Sequence, residues 1–212
     1  MRDRVRYPQG ERLYGVRMGF TRAQLEACRD KTLPDLAGPH TKLLFVGINP
    51  GLWTAAAQAH FARRGNRFYP ALYEAGIVDR LIDASDGYAY DDRAHLIDRG
   101  IGITNIVARA TARADELSRD ELRAGATALM QRVARIRPNV VAILGVTAYR
   151  VGFDRPKAVQ GEQAELLARA RLWVVPNPSG LNAHSTRSDL ADAYRQAAIA
   201  AGISPVARPS PG

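Results

Sequence analysis

Two glycine- and proline-rich turns hold the residues best suited to chemistry. Gly47-Ile48-Asn49-Pro50-Gly51-Leu52 follows the run Lys42-Leu43-Leu44-Phe45-Val46. Pro176-Asn177-Pro178-Ser179-Gly180-Leu181-Asn182 follows Leu172-Trp173-Val174-Val175. Each reads as a buried parallel strand running into a tight turn. Asn49 sits at the end of the first strand. Its amide can orient a water molecule but has no useful basicity, so any hydrolysis it directs should be slow beside a carboxylate-driven one. In an open α/β sheet, loops at the carboxyl ends of parallel strands gather into one crevice, where ligands bind. With a basic chain and no metal-ligand cluster, this pattern points to a neutral, polar ligand beside a polyanion.

The elements that must position these turns alternate along the chain. Strand candidates are 42–48, 101–107, 139–144 and 171–175; helix candidates are 67–75, 119–137, 147–151 and 187–201. Ser118 with Glu121 forms a capping box, and Leu122, Ala126, Leu129, Met130, Val133 and Ile136 mark a buried helix face that Pro138 terminates. The last helix opens with Ser185 or Thr186 before Asp189 and ends at Gly202. Strands alternating with helices argue for α/β architecture, a parallel sheet covered on both faces. Residues 1–32 read as a basic N-terminal extension with a short helix around 21–29 capped by Thr21. Residues 33–203 read as the catalytic domain. The tail, 204–212, holds three prolines and is expected to fray.

The chain has 212 residues, enough for one domain with a sizeable core. No apolar run approaches the roughly 20 residues that span a bilayer. No apolar segment follows Met1-Arg2-Asp3-Arg4-Val5-Arg6, so a cytoplasmic protein is expected. Cys28 is the only cysteine, which excludes an internal disulfide, a cysteine-based zinc site and a protein-ligated iron–sulfur cluster. A net charge of +9 favours phosphate-rich partners. Arginine supplies nearly all of it, since lysine occurs only at 31, 42 and 157. A genome-composition bias explains arginine over lysine but not the net excess of base. The chain lacks G-x-G-x-x-G after the first strand, a P-loop and G-x-S-x-G, so dinucleotide, P-loop and serine-hydrolase functions have no anchor.

The two turns, with Asn66-Arg67-Phe68-Tyr69 between them, resemble the mismatch-specific uracil/thymine DNA glycosylases of the uracil-DNA glycosylase superfamily. Further matching patches are Gly100-Ile101-Gly102-Ile103-Thr104-Asn105, Arg109-Ala110-Thr111, Glu121-Leu122-Arg123-Ala124-Gly125 and Ala142-Ile143-Leu144-Gly145. The resemblance covers about residues 33–202. It implies a three-layer α/β/α fold around a short central four-stranded parallel sheet. It also implies a monomeric enzyme without cofactor or metal that acts on double-stranded DNA containing mismatched or damaged bases.

Cutting an N-glycosidic bond requires the base to leave the stack, its departing charge to be stabilised, and a water to be aimed at the sugar C1′. By resemblance, Asn49 aims the water and His60 stabilises the leaving base or the water. Ile48, Gly51, Thr54, Phe61 and Asn105 form the base pocket. Within it the backbone N–H groups of Ile48 and Phe61 donate to the base, and the Phe61 ring stacks on it. Thr54 faces C5 of the pyrimidine and should disfavour a 5-methyl group. Ser179, Gly180, Leu181 and Asn182 form the wedge that fills the gap left by the flipped nucleotide. Trp53, Ala56, Ala57 and Gln58 depart from the family's small residues and leave pocket size open.

Plainer readings stand beside these. Asn49 and Asn105 could bond their own turns, Phe61 could be core, His60 could face solvent and Leu181 could pack inward. Asp98, ahead of the second strand, is a minor candidate for a carboxylate base. Arg63, Arg64, Arg67 and Arg187 could hold phosphates. With three lysines, none in a motif, a Schiff-base lyase is not expected. The leading reading is a monofunctional glycosylase that leaves an abasic site. The alternative is a non-catalytic damage-binding protein of the same fold.

Overall fold

Strands β1 (Leu43–Gly47), β2 (Ile101–Asn105) and β3 (Val140–Leu144) are buried at every residue, as expected of parallel strands covered on both faces. The computed structural model describes residues 19–180 and 185–206. In it β1 pairs in parallel with β2 on one side and β3 on the other, and β3 pairs in parallel with β5 (Ala170–Val175). The outer edge of β2 is covered by an antiparallel bridge between Leu36 and Ile103.

Alternate strand residues face opposite layers. Leu43, Phe45, Ala142 and Leu144 pack with helices α3 (Phe68–Glu74), α4 (Tyr90–Asp98) and α7 (Arg187–Ala200) through Phe68, Leu72, Leu96 and Tyr194. Leu44, Val46, Val141 and Ile143 pack with α5 (Arg119–Ile136) and α6 (Val146–Gly152) through Leu129, Val133 and Tyr149. This is the expected three-layer α/β/α arrangement. Two short helices, α1 (Arg22–Glu26) and α2 (Leu52–Ala57), pack on each other beside the sheet's carboxyl end, where Cys28, Ala55 and Ala110 form a small cluster. No helix among the described residues is long and apolar enough to cross a membrane.

The sheet has five strands, not four, in the order β2-β1-β3-β5-β4. The fifth, β4 (Gly161–Leu167), runs antiparallel to β5 at the edge. Its Glu-Gln-Ala-Glu sequence carries no β-branched residue, and polar residues fall on both of its sides, so it gave no apolar alternation. Helix α4 was missed for a related reason: Leu96 is its one buried residue, so no helical stripe is legible.

The caps follow the expected chemistry. Capping boxes form at Thr21 with Gln24, Ser118 with Glu121, and Thr186 with Asp189. Helix α5 ends at Arg137 in the left-handed conformation (φ 56°), just ahead of Pro138, which disfavours helical geometry in the residue before it. Met130 is 44% exposed, contrary to its expected place on the buried face. One residue past Leu129 is a turn of about 100° around the helix, away from the stripe of Ala126, Leu129 and Val133.

Helix α5 lies so close to the end of β2 that a Cβ on Gly125 would fall 2.7 Å from the Ile106 carbonyl oxygen. Gly125→Ala therefore should not give the usual helix-propensity gain. The expected result is a net loss of about 1–3 kcal/mol, read as a lower denaturant midpoint.

Candidate active site

The strand order sets β1 beside β3, and the chain leaves them in opposite directions, toward β2 and toward β4 and β5. Such a switch point opens a crevice at the carboxyl ends of the strands. A cavity of about 350 Å³ lies there. Ile48, Asn49, Gly51, Thr54, His60, Phe61, Asn105 and Ser179 all line it, although they come from four separate stretches of chain. Gly180 is exposed just beyond, and Leu181 and Asn182 lie outside the described residues.

Asn49 is half-buried, and its amide nitrogen donates to the Arg109 carbonyl at 3.1 Å and to Thr111 Oγ1 at 2.7 Å. The Thr111 hydroxyl gives its own hydrogen to the Arg113 carbonyl at 2.7 Å, so it meets Asn49 only as an acceptor. Both partners therefore require the nitrogen end of the amide. Among the described residues Oδ1 makes no hydrogen bond, and it is the atom left to accept one from a water. Asn49 bonds not its own turn, the plainer reading, but the loop that follows β2, and the geometry of that bonding orients its oxygen.

Phe61 forms the facing wall. Its ring stacks on Phe68 with centroids 4.1 Å apart. Gly47 makes room for it: a Cβ there would lie 3.3 Å from Phe61 Cζ and 2.5 Å from Asn105 Oδ1. Phe61 also sits at φ 54°, a left-handed conformation costing about 1–2 kcal/mol for a side-chain-bearing residue. A closed ring of hydrogen bonds holds the preceding residue. The His60 N–H donates to Tyr88 Oη at 3.2 Å. The Tyr88 hydroxyl donates to Tyr69 Oη at 2.8 Å, and Tyr69 donates to the His60 carbonyl at 2.8 Å. Burial pushes Tyr88 up to about 12 and Tyr69 well above the usual phenol value, so both keep the protons the ring needs.

His60 is only 2% exposed, not the solvent-facing loop histidine of the plainer reading. Its Nε2 lies 3.1 Å from the Pro34 carbonyl, which can only accept, so this nitrogen carries the hydrogen. Burial pulls its pKa down to about 4, against smaller upward effects from the Pro34 carbonyl and the Asp35 charge. At neutral pH it is an uncharged imidazole in the free protein.

Asn105 is 6% exposed, yet among the described residues its carboxamide makes no hydrogen bond and lines the cavity. Its backbone carbonyl accepts from the Arg132 guanidinium, which also donates to the Ile106 carbonyl. The carboxamide is thus left to offer both a donor and an acceptor to whatever occupies the cavity. The backbone N–H groups of Ile48 and Phe61 likewise make no hydrogen bond among the described residues. Thr54 is buried on α2 and faces the cavity. Trp53, Ala56, Ala57 and Gln58 do not line it. The Trp53 indole N–H instead donates to the Ser85 carbonyl at 2.8 Å, bracing α2 from outside.

Several charged candidates lie elsewhere. Asp98 is exposed at the end of α4, at the amino end of β2 and away from the cavity. The one carboxylate lining the cavity among the described residues is Asp115, ion-paired with Arg113, which lowers its pKa and its strength as a base. Arg67 bonds the Ser179 and Ser185 carbonyls, so it clamps both ends of the loop it was expected to flank as a phosphate ligand. Arg187 pairs with Glu74 at 2.7 Å, whereas Arg63 is exposed at the cavity. Among the described residues no group of three or more His, Cys, Asp or Glu side chains is placed to hold a metal ion.

Sequence reasoning assigned no role to Thr111, Asn66, Asn177, Tyr69 or Tyr88. Asn66 and Asn177 accept from the backbone N–H two residues on, at 2.9 Å each, and shape the cavity wall. Their place in short polar turns was the available signal. The signal at Thr111 was its place in the family-like patch Arg109-Ala110-Thr111, which named no role for it.

A cavity at a switch point, with an oriented amide and hydrogen-bond donors facing it, suits a neutral, planar, polar ligand. Residues 34–201 match the model of the uracil DNA glycosylase superfamily. The chain belongs to that superfamily, whose members are DNA glycosylases, hydrolases that act on DNA containing uracil. The fold is also similar to a solution NMR structure from Methanosarcina acetivorans, described as a candidate uracil DNA glycosylase. The TM-score is 0.53 at 15% identity, covering 79% of this chain and 96% of that one.

The His60 environment predicts a pH effect on stability. Its folded pKa of about 4 lies below the unfolded value of about 6.5. As pH falls through this window the unfolded chain takes up a proton that the folded one refuses. About 3 kcal/mol of stability is present above pH 6.5 and lost by about pH 4. Urea midpoints between pH 7 and 4.5 should fall more steeply for the wild type than for His60→Gln, which keeps a donor for Pro34.

Proposed function

We propose that this protein is a monofunctional, mismatch-specific DNA glycosylase that hydrolyses the bond between uracil and deoxyribose in G·U pairs. Thymine in G·T pairs and related damaged pyrimidines are slower substrates, and the product is an abasic site. The observation that carries this reading is the Asn49 amide, fixed with Oδ1 as its free acceptor in a cavity where Phe61, Asn105 and two backbone N–H groups await a planar ligand.

In this reading the base swings out of the duplex into the cavity and stacks on Phe61. The N–H groups of Ile48 and Phe61 and the Asn105 carboxamide bind its polar edge and stabilise the negative charge that builds as the bond to C1′ breaks. Asn49 Oδ1 accepts a hydrogen bond from one water and aims its lone pair at C1′; as the new C1′–O bond forms, the water's surplus proton ends on the departed base anion, which leaves neutral. No step needs a metal, and a neutral His60 leaves charge stabilisation to the hydrogen-bond donors. The loop anchored by Arg67 supplies the wedge, with Leu181 entering the stack beside Ser179, Gly180 and Asn182. Arg63 at the cavity mouth serves the DNA backbone.

Single-turnover cleavage of a labelled G·U duplex, in chelator and developed with alkali, tests the proposal. Wild type should give nicks only after alkali. Asn49→Ala should lower the rate at least ~100-fold, with duplex affinity within a few-fold. Binding to G·U duplex without any cleavage would favour the damage-binding alternative. Thr54→Ala should raise cleavage of G·T relative to G·U, because the methyl group at C5 would gain the space now filled by the threonine. An unchanged ratio would remove Thr54 from the specificity pocket.

A further inference from the structure

A carboxamide has two orientations of nearly equal shape, and only one presents oxygen to a given side. At position 49 the reversed orientation would place Oδ1 against the Arg109 carbonyl and Thr111 Oγ1. The carbonyl has no hydrogen to give. The hydroxyl has one, already donated to the Arg113 carbonyl. Thr111 is 1% exposed, and its backbone N–H donates to the Pro50 carbonyl at 3.1 Å, which ties it to the turn carrying Asn49. The Arg109 carbonyl is held too, since the Arg109 guanidinium bonds Glu121 and Asp30.

We propose that Thr111 is a positioning residue for the reaction: its hydroxyl, spent as a donor on Arg113, locks the Asn49 amide with Oδ1 facing the cavity. The inference rests on the role proposed above for Asn49 and adds a residue of the cavity lining that acts through it. It also accounts for an amide at position 49. A carboxylate there would meet the same two acceptors, so the surroundings are built for an NH₂ group.

Two substitutions separate the lock from simple packing. Thr111→Val keeps the shape and removes the hydroxyl; Thr111→Ser keeps the hydroxyl. On a G·U duplex under single turnover, Thr111→Val should be about 10- to 100-fold slower, the scale of a misplaced catalytic group. Duplex affinity should stay within about twofold. Thr111→Ser should recover most of the rate. In an Asn49→Ala background, Thr111→Val should have no further effect. A wild-type rate in Thr111→Val, equal losses in Val and Ser, or the same loss without Asn49 would each overturn the proposal.

A second readout needs no turnover. The Asn49 side-chain NH₂ signals in a ¹⁵N spectrum of the free protein, assigned by their loss in Asn49→Ala, should exchange with solvent slowly. In Thr111→Val they should exchange at least ~10-fold faster, and Thr111→Ser should restore protection. Equal exchange in all three overturns the lock whatever the rates. If Asn49→Ala cuts at the wild-type rate, the role of Asn49 is what fails, and the spectrum alone decides whether the lock exists.

Discussion

A strand buried on both faces must find partners for its last backbone groups outside the sheet, because an unpaired buried N–H or C=O is expensive. At the end of β1 the chain segment after β2 supplies them. The Ile106 N–H donates to the Gly47 carbonyl, Val107 to Ile48, and Thr111 to Pro50. The two loops thus run side by side past the end of the sheet, and the Asn49 amide joins them by bonding the Arg109 carbonyl and Thr111. The placement of the cavity and the orientation of its central amide both follow from this pairing.

Helix α5 stabilises the second loop from behind. Arg132 holds the Asn105 and Ile106 carbonyls, and Gly125 allows the helix backbone to approach them closely. Arg109 reaches Glu121, the capping-box residue of the same helix, whose pKa this contact and the cap pull down to about 2. As an ion pair this contact is about one-third exposed, and such pairs add little stability. Its effect lies in geometry: it fixes the carbonyl to which Asn49 donates.

The opposite wall is held differently. Phe61 keeps a left-handed backbone because its neighbours leave it no cheaper choice: the Tyr69–Tyr88 ring fixes His60, and Phe68 stacks beneath its side chain. Most of the charge at and around the cavity is neutralised or paired. His60 is neutral, Asp115 is paired, and much of the arginine surplus is tied to carboxylates, as at Arg29, Arg80, Arg155, Arg171 and Arg187. Arg63, exposed at the cavity, has no carboxylate partner among the described residues.

What the sequence determined by itself is what neighbouring residues encode. The buried strands, the Ser118–Glu121 cap, the stop at Pro138 and the candidacy of Asn49 at a strand end were legible because periodicity and turn chemistry are local. Strand β4 and helix α4 were not, because a half-exposed edge strand and a helix with one buried residue lack a strong apolar period. The surroundings of His60, Arg67 and Thr111 were decided only by tertiary structure. Each depends on a partner brought close by the fold: Pro34 for His60, Ser179 and Ser185 for Arg67, Asn49 for Thr111. A side chain's charge state and hydrogen-bond direction are properties of its surroundings, and those surroundings exist only once the sheet has gathered the loops at one end.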